Sequence, residues 1–218
     1  MVDLVSESWL QRLRAWRRRN DFRKAGVVLI HVPRTAGTSL ALELYGRFVG
    51  HFSLADLCAV SAPDVLALPR FAIVRNPWDR LVSAWAFAKA GGGSGGEGAG
   101  RVTIHHGEQY QVPEFDTFER FVTEWLAVRE LAALDGVFRP QIGYLRLADG
   151  TMPLQHLGRI EQIADTERWL GEVLGRPVAL GRANSSERDD YRSYYTPALR
   201  DQVAQIYADD IAALGYDF

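Results

Sequence analysis

Residues Val27 to Leu40 read VVLIHVPRTAGTSL: an apolar run, then Pro-Arg-Thr-Ala-Gly-Thr-Ser, then the start of a helical pattern. A strand that turns through a glycine into a helix is suited to holding an anion. The helix N-terminus offers unpaired N–H groups and the positive end of its dipole, and Gly37 lets backbone approach a ligand closely. The nucleotide loop G-x-x-x-x-G-K-[ST] has this layout. Here Gly37, Thr38 and Ser39 take its last three places, with Thr38 where lysine would stand. The cation is Arg34, three residues before the glycine, and it can reach the same phosphate or a neighbouring anionic group. Pro33 stiffens the entry.

A second stretch, RFAIVRNPWDRLVSAW, sharpens the chemistry. Its buried strand ends in Arg75, where a nucleotide triphosphatase usually carries an acid for Mg²⁺. Asn76 is placed to cap the helix that follows, with Pro77 at its first turn. Ser83, two turns on, offers a hydroxyl to the same anion, and Asp79 is placed to pair with Arg75 or Arg80. Two cationic phosphate sites without an evident Mg²⁺ ligand describe a nucleotide phosphorylated at both ends of its ribose.

These residues need a sheet to hold them. GVVLIHV and RFAIVR read as buried strands, and LQHLGRIEQI as a third. Helices are expected from Thr38 to Phe48, after Asn76, and from Asp116, which forms a capping box with Glu119. Further helices are expected in ADTERWLGEVL, closed by Gly175, and from Thr196 to Gly215. The last carries Leu199, Val203, Ile206, Ile211 and Leu214 on one face. Strands alternating with helices predict an α/β fold with a central, mainly parallel sheet flanked by helices. Residues 1–24 form a basic N-terminal helix in which Trp9, Leu13 and Trp16 share a face, and 25–218 form the main domain. That helix either docks on its own domain or touches an anionic membrane surface peripherally. The glycine-rich tract GGGSGGEGAG, within an insertion at about 89–113, is expected to be mobile.

With 218 residues and a net charge of −2, the chain can bury a core and is not a generic nucleic-acid binder. Its single cysteine, Cys58, allows no intrachain disulfide. That points to a reducing compartment, and with no apolar run of transmembrane length the expected location is cytoplasmic.

IHVPRTAGTSL resembles the 5′-phosphosulfate loop of carbohydrate sulfotransferases, usually written P-K-T-A-G-T-S, with Arg34 where that family usually has lysine. FAIVRNPWDRLVSAW is similar to their 3′-phosphate motif, R-[ND]-P-x-x-R-x-x-S-x-[YW]. VGHFSL looks like the G-H-[VA]-[ST] segment of heparan sulfate 2-O-sulfotransferases and their bacterial relatives. Later blocks, among them FRPQIGYL and LGRIEQIADTERWLGEVLG, also resemble that family, and the likeness runs from about 27 to 218.

The resemblance implies a P-loop-like three-layer fold and the donor 3′-phosphoadenosine 5′-phosphosulfate (PAPS), which leaves as the 3′,5′-bisphosphate (PAP), with no metal. It assigns Arg34, Thr35, Ala36, Gly37, Thr38 and Ser39 to the 5′ end and Arg75 and Ser83 to the 3′-phosphate. The acceptor it implies is a hydroxyl, on a sugar or a glycosylated small molecule. His51 in GHFS is the expected base, because histidine titrates in the useful range and the chain returns there between the two motifs. Arg34 is assigned to the leaving oxygen. His31 is read as a packing or loop residue. His105 and His106 fall in the insertion. Arg139 and Gln141 contact acceptor or nucleotide, or simply satisfy a loop, and Asn184, Ser185, Ser186 and Arg188 close over the nucleotide or form a solvated turn. A P-loop kinase or other nucleotide triphosphatase, and a non-catalytic nucleotide-binding module, are the competing readings.

Overall fold

A computed structural model describes residues 4–92, 107–179 and 190–218, with side chains from Trp9 onward. The chain divides into two compact units, Met1–Val74 with Gly143–Asn184, and Arg75–Ile142 with Ser185–Phe218.

The first unit is built on a parallel sheet of three described strands in the order β1 (Val28–Ile30), β2 (Arg70–Val74), β3 (His156–Arg159). Leu29 pairs with Phe71, and Ala72 with Leu157. β1 and most of β2 are fully buried, as their unbroken apolar runs require. Because neighbouring strands are parallel, their C-terminal ends lie along one edge of the sheet. That edge is where ligands usually bind in open α/β sheets.

Four helices of this unit precede β2: α1 (Leu4–Ala25), α2 (Gly37–Tyr45), α3 (Leu54–Val60) and α4 (Pro63–Leu66). α1 packs on the other three, with Phe22 edge-on to Tyr45 at 5.5 Å. The face that docks is not the tryptophan face expected from the sequence. Ala15 and Phe22 are buried, whereas Trp9 is 62% exposed and Trp16 46%. The arginines do much of the docking. Arg23 pairs with Asp64 at 2.6 Å, Arg12 with Asp56 at 3.7 Å, and Arg18 donates to the Val49 carbonyl at 3.4 Å. A helix anchored by ion pairs and an alanine leaves its indoles outside.

The second unit begins with α5 (Pro77–Lys89). Asn76 caps it by accepting from the N–H groups of Trp78 at 3.0 Å and Asp79 at 3.5 Å. Next comes a three-residue helix, α6 (Phe118–Arg120), which widens into a π-turn at Phe121–Leu126. Its cap is Thr117, not Asp116, and Thr117 Oγ1 accepts from the Arg120 N–H at 3.2 Å. The π-turn brings Phe121, Val122, Trp125 and Leu126 into a core with Phe115, Phe118, Phe138 and Tyr207. Each such burial is worth about 1.5–3 kcal/mol, and it outweighs the poorer backbone geometry.

α7 (Ile142–Leu145) lies where the chain passes from one unit to the other, and α8 (Ile163–Leu174), closed by a left-handed Gly175, packs on β3 in the first. The single C-terminal helix read from the sequence is two helices, α9 (Pro197–Ile206) and α10 (Ala208–Leu214). Leu199, Val203 and Leu214 are buried, and Ile206 and Ile211 half-buried. The break falls at Tyr207, whose buried hydroxyl donates to the Phe138 carbonyl at 2.7 Å. No described helix is long and apolar enough to cross a membrane.

Candidate active site

The sequence-predicted residues fall into two groups, one in each unit. In the first unit the chain leaves β1 at Ile30 and reaches α2 through His31–Ala36. This loop is held in an uncommon backbone form. Arg34 has φ of 70° and Ala36 of 63°, the two non-glycine residues with positive φ among those described. Each costs of order 1 kcal/mol and persists only where the surroundings fix it. Thr35, buried between them, donates from Oγ1 to the Val32 carbonyl at 2.9 Å.

α2 then starts at Gly37 with no side-chain cap on its first turn. Ser53, Asn76 and Thr196 cap α3, α5 and α9, whereas α4, α8 and α10 share the lack of a side-chain cap with α2. Thr38 and Ser39 are half-buried in that first turn, and Arg34 is half-buried before it. A loop with left-handed residues feeding a helix N-terminus forms a concave array of N–H groups, the usual cradle for phosphate or sulfate.

Two histidines sit beneath this loop. His31 is 2% exposed, and a Cβ at position 37 would come within 2.0 Å of its Cδ2. Position 37 must therefore be glycine for a reason not visible in the motif: the His31 ring occupies the space. Burial drives the His31 imidazole well below its ordinary pKa, the neighbouring His51 lowers it further, and a backbone bond at Gly50 opposes both. It stays neutral, and its buried Nδ1 has no hydrogen-bond partner.

His51 is half-buried, its ring centroid 4.2 Å from that of His31. His51 Nδ1 lies 3.1 Å from the His31 carbonyl oxygen, which can only accept. The proton of the neutral ring is therefore on Nδ1 and the lone pair on Nε2, the form a general base needs. The segment after His51 is fixed by a reciprocal cap, Ser53 Oγ to the Asp56 N–H at 3.0 Å and Asp56 Oδ2 to the Ser53 N–H at 3.0 Å.

The second unit holds Arg75, Asp79, Arg80 and Ser83. Arg75 Nε donates to Asp79 Oδ2 at 2.6 Å, one of the two pairings open to Asp79. Arg80 is buried and donates to the carbonyls of Arg139 at 3.0 Å and Gly136 at 3.4 Å. Ser83 is 5% exposed on α5.

Two residues of this group escaped sequence reasoning in their actual roles. Gln141 is fully buried and brackets the Arg75 backbone: its Oε1 accepts from the Arg75 N–H at 3.0 Å and its Nε2 donates to the Arg75 carbonyl at 2.8 Å. Asp210 is fully buried and accepts the N–H groups of Gln141 and Ile142, both at 2.8 Å. Burial raises the Asp210 pKa, while Arg80 and these backbone donors oppose the rise. Asn76 also donates from Nδ2 to the Asp217 carbonyl at 2.8 Å. Arg139 turns back on its own loop, with Nε to the Leu134 carbonyl at 2.6 Å. His105, His106, Asn184, Ser185, Ser186 and Arg188 lie outside the described residues, as does most of the glycine-rich tract.

Residues 67–217 match the sulfotransferase family. The matched span is well over half of the chain, and the protein belongs to that family. The match takes in Arg75, Ser83, Gln141 and Asp210, and begins after the loop at 33–39 and after His51. No curated protein and no solved structure matched the chain.

Proposed function

We propose that this sulfotransferase takes its sulfuryl group from PAPS and passes it to a hydroxyl of a carbohydrate or glycosylated small molecule, on a P-loop-like fold of three layers. The observation that carries the reading is the pair of anion-binding features following neighbouring parallel strands: an uncapped helix N-terminus beside Arg34 after β1, and an anchored Arg75 directly after β2. In a sulfotransferase, two such features fit a donor charged at both ends of its ribose. The single cysteine fits a reducing, cytoplasmic setting.

Bound PAPS would supply an activated sulfuryl group and a leaving phosphate oxygen. The N–H groups of Gly37, Thr38 and Ser39, with Thr35 and Ala36 shaping the turn, would hold the 5′ end. The Arg34 guanidinium would face the oxygen on which charge builds, where a fixed cation acts on the transition state more than on the ground state. Arg75 and Ser83 would hold the 3′-phosphate. His51 Nε2 would take the proton of the acceptor hydroxyl.

Incubation with labelled PAPS and a panel of hydroxyl acceptors, with mass detection of product, is the direct test. Ligand-induced stabilisation tests the donor half alone. A ligand at a hundredfold excess over Kd that binds only the folded state adds about 2.7 kcal/mol. PAP without metal is expected to raise the melting temperature by several degrees and adenosine 5′-phosphate by much less. Stabilisation by ATP with Mg²⁺ only would refute the PAPS reading, and PAP binding with no sulfated product from any acceptor would favour a binding module.

A further inference from the structure

Gln141 is an unusual neighbour for a substrate-binding arginine, because its side-chain amide bonds the backbone of that residue and does so twice. Its amide replaces a strand partner for one residue. The two bonds fix the peptide planes on either side of the Arg75 Cα, and so the direction in which the side chain leaves the chain. Asp79 then holds the far end of that side chain at Nε. Backbone and guanidinium are pinned separately.

Gln141 is itself pinned. Arg80 donates to carbonyls at Gly136 and Arg139, Tyr207 donates to the Phe138 carbonyl, and the Asp210 carboxylate takes the N–H groups of Gln141 and Ile142. Three buried side chains thus hold the segment from 136 to 142. Burying a carboxylate, a guanidinium and an amide is costly unless every group is satisfied. An aliphatic core would close this segment at lower cost. What the polar version adds is a defined position for Arg75.

We propose that Gln141 is the positioning residue that gives Arg75 its ability to recognise the ribose 3′-phosphate, with Asp210 holding Gln141 in place. The proposal rests on the PAPS reading, and deepens it by naming what sets donor selectivity. A guanidinium that is already oriented loses less conformational freedom on binding and meets the phosphate as a fork rather than a diffuse charge. Selectivity for a bisphosphate over a 5′-monophosphate should therefore depend on a residue that touches neither.

The experiment compares Kd for PAP and adenosine 5′-phosphate by calorimetry on the full chain. Gln141→Met keeps the volume and removes both bonds. It should lower the preference for PAP about tenfold and leave adenosine 5′-phosphate binding unchanged. Equal weakening of both nucleotides, or an unchanged preference, would overturn the proposal.

Gln141→Glu supplies a chemical rescue. As the neutral acid, its C=O faces the Arg75 N–H and its O–H faces the Arg75 carbonyl, as the amide does. As the anion it sets an acceptor against an acceptor. Among the described residues, the charged groups near that position are Arg75, Asp79 and Arg80 on the β2–α5 stretch, Arg139 on the same segment and Asp210 on α10, with the Tyr207 phenol beside them. Measured beside wild type at each pH, the preference of the Glu variant should be lost at pH 9 and return on acidification to pH 6. A preference that follows wild type at both values would overturn it.

Arg75→Ala separates the two levels of the argument. If that variant still prefers PAP as wild type does, the donor reading fails. If it loses the preference and Gln141→Met does not, the donor reading stands and only the role of Gln141 falls.

Discussion

The two groups of candidate site residues, one in each unit, are held by different means. Around His31, Gly37 and His51 positioning is local and mostly steric: two left-handed residues, a glycine pressed against an imidazole, and a carbonyl orienting the next histidine. All of it lies between residues 31 and 56. Around Arg75 positioning is polar and remote in sequence, with the anchoring groups coming from Gln141, Asp210 and Asp217. A steric cradle suits a group that must sit close to backbone N–H donors. A network of buried hydrogen bonds suits a long charged side chain that must be aimed.

The largest difference between the halves should appear in turnover. If His51 is the base, His51→Ala should lower kcat by about 10²–10⁴-fold, the usual worth of general base catalysis. PAP binding should hold, because that group faces the acceptor. Arg75→Ala should do the reverse, removing nucleotide affinity first. A His51→Ala enzyme within a few-fold of wild type would take His51 out of the mechanism and reduce the first half to donor binding alone.

Next is the stability held in the remote network. Asp210→Ala leaves the buried N–H groups of Gln141 and Ile142 without this acceptor and removes a carboxylate that interacts with Arg80. Urea unfolding should show a loss of about 2–5 kcal/mol. A loss below about 1 kcal/mol would mean that this carboxylate is not what holds the segment from 136 to 142. Asn76→Ala, which removes a cap and the bond to the Asp217 carbonyl, should cost less, about 1–2 kcal/mol. That change would be visible in the same measurement.

This contrast also explains what the sequence disclosed. Strands β1, β2 and β3, the Asn76 cap, the Gly175 stop and the strand–loop–helix around Gly37 are all written in contiguous residues. So are the positions of Arg34, Arg75 and Ser83. The pairing of Arg75 with Asp79 follows from helical spacing. Gln141 and Asp210 could not be found that way, since they stand 66 and 69 residues from their hydrogen-bond partners. One signal was present: helical spacing puts Asp210 on the same face as Leu199, Val203, Ile206 and Leu214, an acid within the apolar stripe. That position says the acid is buried but not which groups it meets, and no local pattern announces the break at Tyr207. The docking face of α1 is hidden for a related reason: aromatic spacing marks Trp9, Leu13 and Trp16, whereas the arginines that dock have acidic partners elsewhere in the chain.

The smallest effect concerns His31, which the sequence marks only as a packing or loop residue. Its pKa in the folded chain lies well below the ordinary 6.5, chiefly through burial. The unfolded chain therefore binds a proton there as pH falls below about 6.5 and the folded chain does not. Stability is full above that value and drains away below it, at most about 1.4 kcal/mol per pH unit. Between pH 6.5 and 5.5 the loss from this one group is about 1 kcal/mol. His156 is also lowered by burial, and Asp210 shifts the other way, so the wild-type curve alone does not isolate His31. The comparison with His31→Phe does, because the flat ring over Gly37 remains while the titration disappears and the other groups cancel. Urea unfolding at pH 7.5, 6.5 and 5.5 should show wild type losing about 1 kcal/mol more than the variant over the last step. Equal losses would mean that His31 accepts a proton inside the fold. The loop would then rest on a charged imidazole, and the description of the first half as a neutral, steric cradle would be wrong.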